Sequence, residues 1–167
     1  MTAELEIIDR LMTEHQTNLI VKDADKSMGG FGVLLKLQEI QSVCKQTSIN
    51  ELINKKKQLC DALSKIQNHL DNHHFLEENA LRPMVGELLM KALILEHSEI
   101  RNQIEQLILK INDCMPEHIN EAELLVKKAT LQEHFSNLCL TLEQHANGEN
   151  QILRMLRKNY QRVGQLV

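Results

Sequence analysis

The sequence has no tryptophan, one tyrosine and three phenylalanines, so no aromatic-rich core is available to it. Its 43% apolar content rests on Leu, Ile, Met, Val and Ala, which are the materials of helix bundles. Only two prolines, Pro83 and Pro116, interrupt the chain, and no stretch alternates β-branched with aromatic residues as a strand requires. The four cysteines, Cys44, Cys60, Cys114 and Cys139, lie far apart with no CxxC. That spacing excludes a zinc ribbon or a thioredoxin-type motif and predicts buried thiols on helices. A concentrated basic face is also missing. Net charge is -4 and the pI is near 6.1, which argues against a nucleic-acid surface, and Lys55-Lys56-Lys57 reads as a solvated helix face. "MTAELEIIDR" lacks the basic-then-apolar layout of a signal peptide, and no apolar run reaches bilayer length. These absences predict a cytoplasmic chain without membrane association.

What is present predicts an all-α protein of one domain over residues 1–167, a length sufficient for a single core. Leu5, Ile8, Leu11, Met12, His15 and Leu19 recur at helical spacing, so a first helix runs from about Thr2 to the low twenties. "DADKSMGGFG" follows as a glycine-rich turn. It lacks the Gly-Lys-Ser/Thr and the preceding strand of a phosphate-cradling loop. Val33, Leu37, Ile40 and Cys44 form one face of a short helix. Ser48-x-x-Glu51 is a capping box that opens a long helix to Leu81, and Pro83 closes it or begins the next. The third long helix spans roughly Met84 to Ile111. The fourth runs from near Ile119 to about Arg157, with a break expected near Thr130. Four long helices and one short helix between the first and second account for the chain.

The eight histidines sort by their neighbours. "LMTEH" and "LILEH" place His15 and His97 alike, each after Leu-x-x-Glu. His73 follows Leu70 by three and precedes Glu77 by four, and His145 stands in the same relation to Leu142 and Glu149. A helix turns once in about 3.6 residues, so each His-x-x-x-Glu pair projects an imidazole and a carboxylate from one face. "NHHFLEENALRP" offers the overlapping pair His74/Glu78 as well. The leucine register selects His73/Glu77 and leaves His74/Glu78 as flanking residues, although helical projection places the two pairs almost evenly about the apolar stripe. Facing one another in a core, His15, His73, His97 and His145 with Glu77 and Glu149 would supply four imidazoles and two carboxylates. That donor set demands cations and suits two iron ions, or manganese, better than a thiolate-preferring or all-oxygen site. A single His-x-x-x-Glu pair is ordinarily a surface ion pair, but four matched sites, one per long helix, disfavour that explanation. His69 and His134 are candidates for an additional ligand, and His118 is expected in solvent.

Other site classes fail on spacing. No histidine has a glutamate three residues before it, as ferritin-like di-iron helices require, and HExxH is missing. No local Ser-His-Asp or Cys-His nucleophile signature occurs.

Over roughly Thr2 to Arg157 the chain resembles the hemerythrin-like, or HHE cation-binding, family. "HHFLEENALRP" is similar to the family's helix-two signature, "LMTEH" and "LILEH" to the leading segments of helices one and three, and "LEQHANGE" to helix four. The resemblance implies an up-down four-helix bundle around a non-haem di-iron centre, with His15, His73, His97 and His145 as terminal ligands and Glu77 and Glu149 as bridges. It also marks departures. Arg101 stands where oxygen-carrying members have a further histidine, Met155 where a proline often follows, and Gly148 interrupts the fourth helix directly before Glu149. Loss of that histidine argues against reversible oxygen carriage.

The expectation is therefore a protein that binds or senses oxygen, nitric oxide or another small diatomic ligand, or redox state. Two iron ions are the expected cofactor, with manganese or zinc as alternatives. Iron handling or repair, reduction of a small oxidant, and a metal-free helical module that docks a protein partner are the competing expectations. The sequence leaves open whether the chain is an enzyme, and it does not set the oligomeric state.

Overall fold

In the computed structural model, residues 3–16, 30–113 and 121–163 are described, with the side chains of 14–16, 30–31, 49–50 and 121 outside the description. The described residues form five α-helices and no strand: α1 Ala3–Gln16, α2 Gly30–Gln46, α3 Ile49–Leu81, α4 Glu87–Asp113 and α5 Glu121–Val163. They pack against one another as a helical bundle. No described helix is long and apolar enough to cross a membrane.

Local chemistry sets the boundaries. At the start of α3 the Ser48 hydroxyl accepts from the Glu51 amide at 3.4 Å, and the Ser48 amide donates to Glu51 Oε2 at 3.4 Å, so two amides without intrahelical partners are satisfied. Pro83 falls in the connection between α3 and α4, where the amides of Met84 and Val85 fold back onto the Leu81 carbonyl. Two expectations need correction. Gly30 and Gly32 belong to α2, not to a turn, while residues 23–29 of the glycine-rich segment lie outside the described residues. The fourth helix has no break near Thr130: α5 runs on through it, with the Thr130 hydroxyl donating to the Val126 carbonyl at 3.1 Å. The predicted ends of the first helix and the start of the fourth at Ile119 also fall outside the described residues.

Heptad-like spacing makes the interior. The buried residues of α4 are Met90, Leu93, His97, Ile100, Ile104, Leu107 and Ile111, alternating steps of three and four. The same alternation runs through Leu63, Ile66, Leu70, His73 and Glu77 of α3 and through Phe135, Leu138, Leu142, His145 and Glu149 of α5. α3 and α4 run antiparallel, as do α4 and α5, with Gln67 bonded to Glu105 and Gln103 to Thr141. Two apolar clusters result. One joins α2, through Val33, Leu37, Ile40 and Cys44, to α3, α4 and α5. The other joins Ile8, Leu11 and Met12 of α1 to Leu81, Met90, Leu93 and Leu153. α1 and α2 thus both lie along α5, one at each apolar end. Between the two clusters, the core positions of three helices are filled by histidine and glutamate.

Candidate metal centre

Every side chain of this polar layer is held by a helix whose apolar residues on both sides fix its depth. His73, His74, Glu77, His97, His145 and Glu149 are all buried, none more than 8% exposed. Ligand-type atoms of Glu77, His97, His145 and Glu149 lie within 4.8 Å of one another, and those of His74, His97 and His145 do the same. His97 Nε2 stands 3.4 Å from Glu149 Oε1 and 3.9 Å from Glu77 Oε2. His145 Nε2 stands 3.1 Å from the same Glu149 oxygen, close enough for an ion pair though not aligned as a hydrogen bond. His73 Nε2 is 3.1 Å from Glu77 Oε1.

The outer edges of the rings are equally determined. His97 Nδ1 donates to Glu78 Oε1 at 2.8 Å, and His145 Nδ1 donates to Glu96 Oε2 at 2.9 Å. A carboxylate on Nδ1 holds a proton there and turns Nε2 inward, the arrangement that orients metal-bound histidines. Glu96 is 54% exposed, so one of these outer carboxylates faces water.

His74 is the residue that the leucine register left outside the layer and the structure places within it. Its ring stacks on His97 with centroids 3.8 Å apart and planes 2° from parallel, and it meets His145 edge-on at 5.5 Å. α3 packs chiefly against α4, so a side chain one position beyond the heptad stripe, rotated about 100° around the helix, still points into that interface. Neither ring nitrogen of His74 has a hydrogen-bond partner among the described residues. Burial, reinforced by the neighbouring imidazoles of His97 and His145, pushes its pKa down to about 2, which keeps the ring neutral and both nitrogens unsatisfied. For His145, burial alone would push the pKa down. The Glu149 carboxylate and the Glu96 hydrogen bond outweigh burial and raise it to about 9.

No family model matches the chain, and no curated protein or solved structure matches it. The chemistry of the layer therefore rests on its own geometry. Two buried carboxylates, Glu77 and Glu149, lie within ion-pair distance of the imidazoles of His73, His97 and His145, and the ring of His74 beside them is kept neutral by burial. Desolvated carboxylates require cations nearby. This set of imidazole nitrogens and carboxylate oxygens could hold a metal ion, and the lone pair on the unprotonated nitrogen of His74 is one that a bound cation would satisfy.

The other sequence candidates separate. His15 lies in the last turn of α1, and its side chain falls outside the described residues, as does His118. His134 donates to the Thr130 carbonyl at 2.8 Å and lines a different cleft with Glu99, Asn102, Gln103 and Gln106. His69 is half-buried and joins neither ligand group. Arg101 pairs with Asp71 at 2.8 Å near the surface. Cys44 is buried, and desolvation pushes its thiol up to about 11, while Cys139 is buried and raised for the same reason; Cys114 is outside the described residues. The structure gives Glu78 and Glu96, which spacing marked only as the partner of His74 and the neighbour of His97, their actual partners, His97 and His145. Each sits next to a flagged residue, but each serves a histidine on another helix. That cross-helix partnership leaves no trace in local spacing.

Proposed function

We propose that this chain is a hemerythrin-like protein whose polar layer holds two iron ions and that it binds or senses oxygen, nitric oxide or redox state. In this reading the fold is an up-down four-helix bundle, with α2 as an additional helix that completes the side begun by α1. The observation that carries the proposal is the convergence of Glu77, His97, His145 and Glu149 with the Nδ1 atoms of both imidazoles fixed by outer carboxylates.

His15, His73, His97 and His145 would hold the ions with Glu77 and Glu149, and His74 contributes a further imidazole directed at the same space. Bound iron would supply a coordination position for a diatomic ligand and a reversible one-electron change at each ion. The chain does the rest. Glu78 and Glu96 keep the rings of His97 and His145 in the inward-facing tautomer. The apolar clusters on both sides, ending at Leu70, Ile100 and Leu142 on one side and at Leu81, Leu93 and Leu153 on the other, exclude bulk water. Glu149, within reach of two imidazoles, would place a fixed negative charge beside the bound ions and offset part of their positive charge.

The test is anaerobic reconstitution with ferrous iron, followed by nitric oxide titration read by absorption and paramagnetic resonance. The proposal expects a saturable signal that disappears in the H97A/H145A double variant. An unaltered signal in that variant, or none in the wild type, contradicts it.

A further inference from the structure

Gly148 sits in the middle of a 43-residue helix, where glycine costs about 1 kcal/mol relative to alanine. Nothing in its surroundings requires that cost. A Cβ built there meets no atom within 4 Å, and the residue has no left-handed backbone conformation. No close helix approach or turn explains its choice. What the missing side chain leaves is space, a cleft of about 220 Å³ between α4 and α5 lined by Glu96, Glu99, Thr141, Gln144, His145 and Gly148.

The floor of this cleft is His145, a member of the buried layer, and its rim is acidic. Glu96 and Glu99 are both exposed, no lysine or arginine lines the cleft, and Glu96 is bonded directly to His145 Nδ1. The cleft beside His134 touches none of the layer residues. The apolar cavity at the α2 end is ringed by Lys56, Lys127 and Lys128, which repel cations. A narrow opening with negative walls raises the local concentration of cations over that of neutral or anionic solutes.

From this we infer that the Gly148 cleft is the loading route for the metal: a hydrated divalent cation is captured at Glu99 and Glu96 and passed beside His145 to the buried carboxylates. The inference rests on the metal reading of the layer and assigns Gly148 the role of keeping the passage open. Water leaves the cation and the His145 proton leaves to solvent as carboxylate and imidazole donors take their places, with no change in oxidation state.

The experiment mixes metal-free protein with cobalt(II) in a stopped-flow instrument and follows the ligand-field absorption, with the final stoichiometry measured by elemental analysis. G148L narrows the cleft, G148A narrows it by a single methyl group, and E99K reverses the charge at an exposed position. G148L and E99K should each slow loading about tenfold with unchanged final stoichiometry, and the E99K deficit should shrink at high salt. G148A should load at a rate between those of the wild type and G148L. Loading of G148L or E99K at the wild-type rate overturns the route while leaving the metal site standing. A wild-type protein that takes up no cobalt overturns the metal reading and the route with it.

Discussion

Replacing His74 by leucine should have opposite effects on the metal-free and metal-loaded protein. In the metal-free state the ring is neutral and its two nitrogens have no partners among the described residues. A buried polar group left without a hydrogen bond costs about 1–3 kcal/mol. Leucine is close to histidine in volume and removes both groups at once. Against this gain stands the stack on His97, worth about 1 kcal/mol for an aromatic pair. With two such groups removed and the stack lost, metal-free H74L is therefore expected to be more stable than the wild type by about 1–5 kcal/mol, a rise of several degrees in Tm for a chain of this size. With metal the sign reverses. Loss of an inward-facing imidazole should weaken metal affinity at least about tenfold, and the metal-induced gain in stability should shrink by about 1.4 kcal/mol or more. Urea unfolding of both proteins, with a chelator and then with saturating ferrous iron or cobalt(II), measures both effects. Metal-free H74L that is less stable than the wild type by more than about 1 kcal/mol would refute the reasoning, because His74 would then be making a structural interaction of its own.

Three further outcomes follow from the same geometry. His145 has a pKa raised from 6.5 to about 9, so the folded metal-free protein binds the extra proton and loses that stabilisation as pH rises from 6.5 to 9, by at most about 3 kcal/mol. His74, lowered to about 2, acts in the other direction, with stability lost as pH falls below 6.5. Metal-free stability should peak near the ordinary histidine pKa in chemical unfolding across pH, and bound metal should abolish the alkaline limb by replacing the His145 proton. Removing the outer carboxylates in E78A or E96A should lower metal affinity about 10–100-fold with little change in ion stoichiometry, read by competition with a chromophoric chelator. Phe135 is fully buried in the larger apolar cluster, and F135A should cost about 3–5 kcal/mol in unfolding free energy without altering metal stoichiometry.

Much of this organisation was legible in the sequence because it obeys a single period. The three-and-four spacing that buries Leu70, Leu93 and Leu142 also buries His73, His97 and His145, so the leucines announce the depth of the histidines that follow them. The capping box at Ser48 and the stop at Pro83 act through their immediate neighbours, and they were visible for that reason. His74 was not, because its burial depends on which helix α3 faces, and periodicity on one helix does not record the position of another. The roles of Glu78 and Glu96 are hidden for the same reason. Each lies beside a marked residue in sequence, yet its partner is 19 and 49 residues away, respectively. Gly148 looked like an interruption of the fourth helix, but α5 continues through it, because glycine weakens a helix without breaking it when flanking residues such as Leu142 and Leu153 are anchored in the core. The expected break at Thr130 failed on similar grounds, since packing of Leu131 and Phe135 on both α2 and α4 overrides a modest local propensity.

The measurement that bears most directly on the whole account is the equilibrium metal stoichiometry of anaerobically reconstituted protein, compared between the wild type and an E77Q/E149Q variant. Both substitutions keep size and hydrogen-bonding capacity while removing the two buried negative charges, so the fold can be verified independently by its helical circular dichroism. The account predicts two iron ions per chain in the wild type and loss of tight binding in the variant. Absence of bound metal in a folded wild type, or equal binding by the folded variant, would contradict it and leave the layer as a network of buried imidazole–carboxylate ion pairs.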